Sequence, residues 1–359
     1  MGKGLMLLDK GSALSGGFVE LIRNITFPGF TTGLIGATFS ASIGLGIIIS
    51  VAQEGGLPEG VAVSWIFITF LCAGLATMFV SLQSRTPVVI AWSIPGAVLI
   101  GKYLAAGGNI HDAAGVYIAI SVAVLVLTAT GLIKLLIEHI PVPIMLGMVA
   151  GVLLSFGVGT FTNAMKEFSV YGVMVVVFFI WSFFKGLSNK IPSVIVAAAV
   201  GAVLLKVLGE AGSIPVAWEV ATPLFISPHF NLTGFLTLGI PLFFMVVGVQ
   251  NIQAVGVLIS RGYTPPVNTM YTVPSVITFF NAIMCGHTAV TAGPNTAIVS
   301  SVLAGKKEYR WIAAFVDGLF WVMIGLGGKD GSGSRQTGAP PVHAGGYRPG
   351  YVRCIHQCF

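Results

Sequence analysis

Long stretches of the chain are continuously apolar, with neither the alternation of a half-buried strand nor the single stripe of a surface helix. Eleven such runs lie near Phe30–Gln53, Gly60–Leu82, Pro87–Ala106, Ala113–Ile137, Pro141–Phe161, Phe168–Phe184, Pro192–Gly209, Gly234–Ile259, Pro265–Met284, Gly286–Ala304 and Trp311–Leu326. Each approaches or exceeds the roughly 20 residues that carry an α-helix across a bilayer. The spans of a β-barrel would be shorter and would alternate. The pattern predicts an all-α polytopic membrane protein of about 11 spans. Upstream, Leu14, Phe18, Leu21, Ile22 and Ile25 recur at helical spacing and predict a short interfacial helix. Ser213–Asn231, with Pro215, Pro223, Pro228 and Trp218, reads as an ordered loop between two halves.

Composition agrees. Of 359 residues, 55% are hydrophobic and 8% charged, against roughly 25% charged in a soluble domain. The net charge of +6 does not point to nucleic acid, because the basic residues sit in short loops rather than in one patch. With the N-terminus in the cytoplasm, cytoplasmic segments hold 11 Lys and Arg, outer segments 3 and the C-terminal tail 4. That asymmetry fits the positive-inside rule and supports the span count. The first 27 residues lack a cleavable signal pattern. Cys72 and Cys285 read as packing residues, and no disulfide framework is implied.

Two spans are interrupted. Span 3 contains Ala91-Trp92-Ser93-Ile94-Pro95-Gly96, and span 10 contains Thr291-Ala292-Gly293-Pro294-Asn295-Thr296. In each, a short extended-looking stretch precedes proline with glycine beside it. The two spans are seven apart and so cross the membrane in opposite directions. Span 1 (Gly44–Ser50) and span 8 (Ala254–Ser260) echo each other weakly at the same offset. Paired broken spans in corresponding halves point to a transporter site. Helices restarting at Ser93 and Gly293 would aim opposed N-termini at one spot in mid-membrane, where their unpaired N–H groups and positive dipole ends suit an anion, such as a carboxylate held between them. Two prolines that merely kink packed helices are the plainer alternative.

The candidate substrate ligands are Ser93, Pro95, Gly96, Gly293, Asn295 and Thr296 at the breaks, Gln250 and Asn251 in span 8, His287 before the second break, and Ser40 in span 1. Adjacent amides point to different helix faces, so at most one of Gln250 and Asn251 should face a given site. Either could instead bond to a neighbouring helix. His287 is read as a proton carrier or a ligand donor, with a satisfied structural histidine as the alternative. Asp317, about two turns into span 11, is a second proton-coupling candidate, because a lone aspartate in lipid must be neutral or paired. No metal-ligand set or nucleophile–base pair lies in the spans, so no cofactor, metal or enzymatic activity is expected. Cys354, His356 and Cys358 resemble a metal cluster only superficially.

The stretch Ala91-Trp92-Ser93-Ile94-Pro95-Gly96-Ala97, with Gln250-Asn251 and Gly286-His287, resembles the benzoate/proton symporter family from about Phe30 to Leu326. The resemblance implies a uracil-transporter-type fold of fourteen spans in two inverted repeats of seven, with a core and a gate. It implies proton-coupled uptake of benzoate or a similar aromatic carboxylate across a bacterial inner membrane. The partners expected are that substrate, protons and lipid, with a homodimer allowed for. On this reading residues 1–29 are an N-terminal segment, 30–209 the first repeat, 210–233 a loop, 234–326 a partial second repeat and 327–359 an aberrant polar tail. The Ala292-Gly293-Pro294-Asn295 segment departs from the family pattern. The apolar character also stops abruptly after Leu326, which is read as a shifted frame or truncated gene that removes three gate spans. A nucleobase or inorganic-anion carrier of the same fold, and a non-transporting fragment, are the rival readings.

Overall fold

The computed structural model describes residues 7–11, 13–139, 141, 143, 147, 154, 158–159, 161–162, 164–188, 193–209 and 223–327. The predicted tail, with Cys354, His356 and Cys358, lies outside them apart from Gly327, as do most of Pro141–Phe161 and residues 213–222 of the expected loop. The chain divides into two units, Met1–Val152 with Val220–Gly328, and Leu153–Glu219 with Lys329–Phe359.

The first unit begins with α1 (Leu14–Asn24), α2 (Phe27–Glu54) and α3 (Glu59–Ser84). A three-residue strand β1 (Ile90–Trp92) then leads into α4 (Ile94–Ala105), followed by α5 (Ile110–Ala129) and α6 (Leu132–Glu138). In the second unit a π turn (Phe168–Gly172) opens α7 (Val173–Phe183), and α8 (Ser193–Val207) follows. Back in the first unit, α9 (Leu232–Ser260) precedes α10 (Val267–Ile283), strand β2 (Ala289–Thr291), α11 (Gly293–Val299) and α12 (Trp311–Leu326). Five described helices are long and apolar enough to cross a bilayer unbroken: α2, α3, α5, α9 and Lys307–Leu326, which contains α12. Spans 3 and 10 are broken, as the proline and glycine positions predict, each into a strand and a half-helix.

The predicted fourth span, Ala113–Ile137, is corrected. It stops at Ala129, and Gly131 at φ +77° caps the helix in the left-handed conformation before α6 restarts. The expected interfacial helix is α1: Leu21 is buried and Ile22 is exposed. Arg85 ties α1 to the bundle. Its Nε donates to Glu20 Oε2 at 3.0 Å, and its guanidinium lies 5.0 Å over the Trp311 ring.

Glycine sets the packing of the first unit. A Cβ on Gly74 of α3 would stand 2.5 Å from the Gly318 carbonyl oxygen of α12, and one on Gly318 2.6 Å from the Gly74 oxygen. The two helices therefore meet backbone to backbone, the small-residue contact that lets helices associate in lipid. Gly33 of α2 lies as close to the Ala313 carbonyl. In the second unit α7 and α8 pack together, with Ser182 Oγ donating to Ser193 Oγ at 2.8 Å, and no residue of α7 is buried.

Candidate functional site

β1 and β2 pair antiparallel, with Ile90 opposite Thr291, Ala91 opposite Val290 and Trp92 opposite Ala289. The ladder extends at both ends, through Ser93 N to Thr288 O and Ala292 N to Val89 O, each 2.9 Å. Both strands are entirely buried. Two short strands have open edges, which lipid cannot satisfy. Side chains from the surrounding helices do so instead. Thr77 Oγ1 of α3 accepts from Ile90 N at 2.9 Å and donates to Ile90 O at 2.8 Å. Thr278 Oγ1 of α10 accepts from Ala289 N, and Asn251 Oδ1 of α9 accepts from Thr291 N at 2.7 Å. Pro274 inside α10 has no N–H for the Met270 carbonyl, and the Thr291 hydroxyl donates to that carbonyl at 2.6 Å.

Each strand ends where a half-helix starts. Ser93 is the N-cap of α4, its Oγ accepting from Gly96 N at 2.9 Å, with Pro95 in the first turn. α11 starts at Gly293 behind Ala292, with Pro294 in its first turn and no side-chain cap. Because the strands are antiparallel, the two starts lie at opposite ends of the ladder, roughly 13 Å apart at about 3.3 Å per residue, rather than at one point. Both glycines allow close approach. A Cβ on Gly96 would meet Ser93 Oγ at 2.6 Å and Leu242 at 2.9 Å, and one on Gly293 would meet Gln253 Cβ at 2.8 Å.

The remaining candidates fall into two groups. Around the α4 start, the Ser93 hydroxyl donates to Gln250 Oε1 at 2.7 Å. His287 is fully buried, and its Nδ1 accepts from Trp65 Nε1 at 2.7 Å. An indole N–H only donates, so Nδ1 carries no proton and the neutral ring is protonated on Nε2. That Nε2 faces the Ser93 backbone without a full hydrogen bond. Around α11, Thr296 Oγ1 accepts from Val89 N at 3.3 Å, and Asn295 Nδ2 donates to Asp317 Oδ2 at 2.6 Å. Ser40 is buried on α2, four residues from both Gly36 and Gly44, on the face that meets Asn295 and Trp92.

Gln250 and Asn251 both reach the broken spans, but at separate points, one at Ser93 and one at Thr291. Adjacent residues leave α9 on different faces, so each amide meets a different part of the strand pair. Sequence reasoning did not single out Thr77, Thr278 or Trp65. Threonine in a membrane helix commonly bonds back to its own turn, so nothing in the sequence separated the two that brace the strands. A cavity of about 370 Å³ lies among Asp9, Ser84, Thr86 and Pro265–Pro266, not among the residues of the strand pair.

The arrangement has counterparts. The family model described as benzoate membrane transport protein matches residues 24–330. The inner membrane protein YdcO of Escherichia coli (strain K12) is 30% identical over 306 residues, 84% of this chain and 75% of that one. The benzoate membrane transport protein of Acinetobacter baylyi is 28% identical over 299 residues, covering 82% and 74%. Among solved structures, the transmembrane domain of a cyanobacterium bicarbonate transporter, BicA, superposes with a TM-score of 0.51 at 12% identity, covering 84% of each chain. Broken spans that pair through β1 and β2 inside a helical bundle are thus set in the inverted-repeat fold of multi-span transporters. The chain is a membrane transporter and belongs to the benzoate membrane transport protein family.

Proposed function

We propose that this chain carries benzoate or a similar small aromatic carboxylate inward across a bacterial inner membrane together with protons, its N-terminus in the cytoplasm. The carboxylate is read as sitting at the start of α4, beside Ile94 N, since Pro95 has no N–H and Gly96 N and Ala97 N are bonded to Ser93. The observation that carries the reading is the His287 Nε2–H: a buried donor, fixed as a donor by Trp65 and short of a full partner. An acceptor oxygen beside Ser93 satisfies it. Gln250, whose Oε1 is taken by Ser93, offers its amide N–H₂ to the same oxygen. Leu242, against Gly96, belongs to the apolar wall for the ring. A charged imidazole has protons on both nitrogens and loses the Trp65 bond, so His287 serves as a ligand donor rather than as the proton carrier. Family membership and the relative named for benzoate support the substrate class.

Uptake of labelled benzoate into vesicles bearing the chain tests this. We expect accumulation under an inward proton gradient, collapse on adding a protonophore, and no competition from excess uracil or bicarbonate. Uptake indifferent to the gradient, or blocked by uracil and not by benzoate analogues, would overturn the proposal.

A further inference from the structure

Asp317 of α12 is fully buried, and its Oδ2 accepts from Asn295 Nδ2 at 2.6 Å. Its Oδ1 has no partner, and neither has Asn295 Oδ1. These two oxygens face the same place, 3.4 Å and 3.2 Å from where a Cβ on Gly36 of α2 would stand. Two buried lone-pair oxygens next to Gly36 lack a donor among the described residues. Among the described residues no charged side chain supplies it. The titratable groups on the elements packed against α12 are Glu54 on α2, Glu59 and Cys72 on α3, Arg85 at the end of α3 and over Trp311, Glu20 and Arg23 on α1, and Lys307, Glu308 and Tyr309 in the preceding turn, with Arg310 beside them; α11 has none. At about 1.5 Å per residue, Glu54 lies roughly 27 Å from Gly36, and Arg310 roughly 10 Å from Asp317. An ionised carboxylate buried this way is costly without a cation.

We propose that Asp317 is held as a carboxylic acid whose Oδ1–H donates to Asn295 Oδ1, closing a two-bond acid–amide ring between α12 and α11. This deepens, and rests on, the reading of the chain as a proton-coupled carrier. When the Oδ1–H bond breaks, the proton passes to water and the bonding pair stays on the carboxylate. Asn295 Oδ1 then faces an anion, the ring opens, and the half-helix that follows β2 is tied to α12 through the Asn295 Nδ2 bond alone. Asp317 is on this account a positioning residue that never touches substrate, and Asn295 serves the proton rather than the benzoate. Gly36 is glycine because a methyl there would press on both oxygens.

Difference infrared spectroscopy on the purified full chain reads this directly. The wild type should show the carbonyl band of a protonated, hydrogen-bonded carboxylic acid. That band should vanish in Asp317→Asn, which keeps both ring bonds as an amide–amide pair, and move to higher frequency in Asn295→Leu. No such band in the wild type, or an unmoved band in Asn295→Leu, overturns the ring. These spectra are independent of whether the chain carries benzoate, so failure of the transport reading is distinguished from failure of this one. In vesicles that take up benzoate, Asp317→Asn should retain benzoate exchange and lose the dependence of uptake on the proton gradient. Retained proton-driven accumulation, or uptake that follows a sodium gradient and is lost in the variant, overturns the assignment.

Discussion

Gly318→Val is expected to leave little folded protein. A side chain at this position meets the Gly74 carbonyl oxygen at 2.6 Å and the Met78 backbone N at 3.1 Å. Backbone cannot swing aside as a flexible side chain can, so α12 must move off α3. The cost should reach or exceed the top of the roughly 1–3 kcal/mol usual for overpacking, and in lipid no hydrophobic force restores the contact. Displacing α12 also separates Trp321 from Trp92, whose rings lie 4.9 Å apart. Gly46 of α2 is the internal control. A Cβ there meets nothing within 4 Å, so Gly46→Ala should be neutral or stabilising by up to about 1 kcal/mol. Thermal melting of the purified variants checks both, and equal melting points would contradict the backbone-to-backbone packing.

Asn251→Ala should lower stability as well as transport. Its Oδ1 accepts from Thr291 N at a buried strand edge closed to water. An orphaned buried donor costs about 1–3 kcal/mol, and the lost side-chain volume adds to it. Gln250→Ala should cost less, because the Ser93 hydroxyl it leaves without its acceptor can rotate, whereas the Thr291 N–H is fixed in the strand. The melting point should therefore fall further in Asn251→Ala than in Gln250→Ala. A fall of the same size in both would assign both amides to framework.

The breaks were legible because proline and glycine act locally: Pro95 and Pro294 fit best in a first helical turn, in agreement with the starts after Ser93 and Ala292. The end of α12 at Leu326 was legible from composition, and the family match stops four residues later, at 330. What brings distant spans together was not legible. Thr77, Thr278 and Trp65 look like ordinary span residues until β1 and β2 stand beside them. The opposite polarity of spans 3 and 10 was readable, but not that antiparallel pairing would part their helix starts along the ladder. Asn295 looked like a ligand because it sits in the broken segment, and only the packing of α12 turns it toward Asp317. The split of the fourth span at Gly131 was hidden because Leu132 to Ile137 continue the apolar run past the cap.

The account turns on a carboxylate meeting the α4 start, and benzoate titration of the purified chain against its Gln250→Ala variant tests that most directly. Loss of one donor to a bound anion should weaken binding by about 1–3 kcal/mol, roughly 5- to 150-fold in Kd, with the fold intact. An unchanged Kd in a folded Gln250→Ala protein would contradict it.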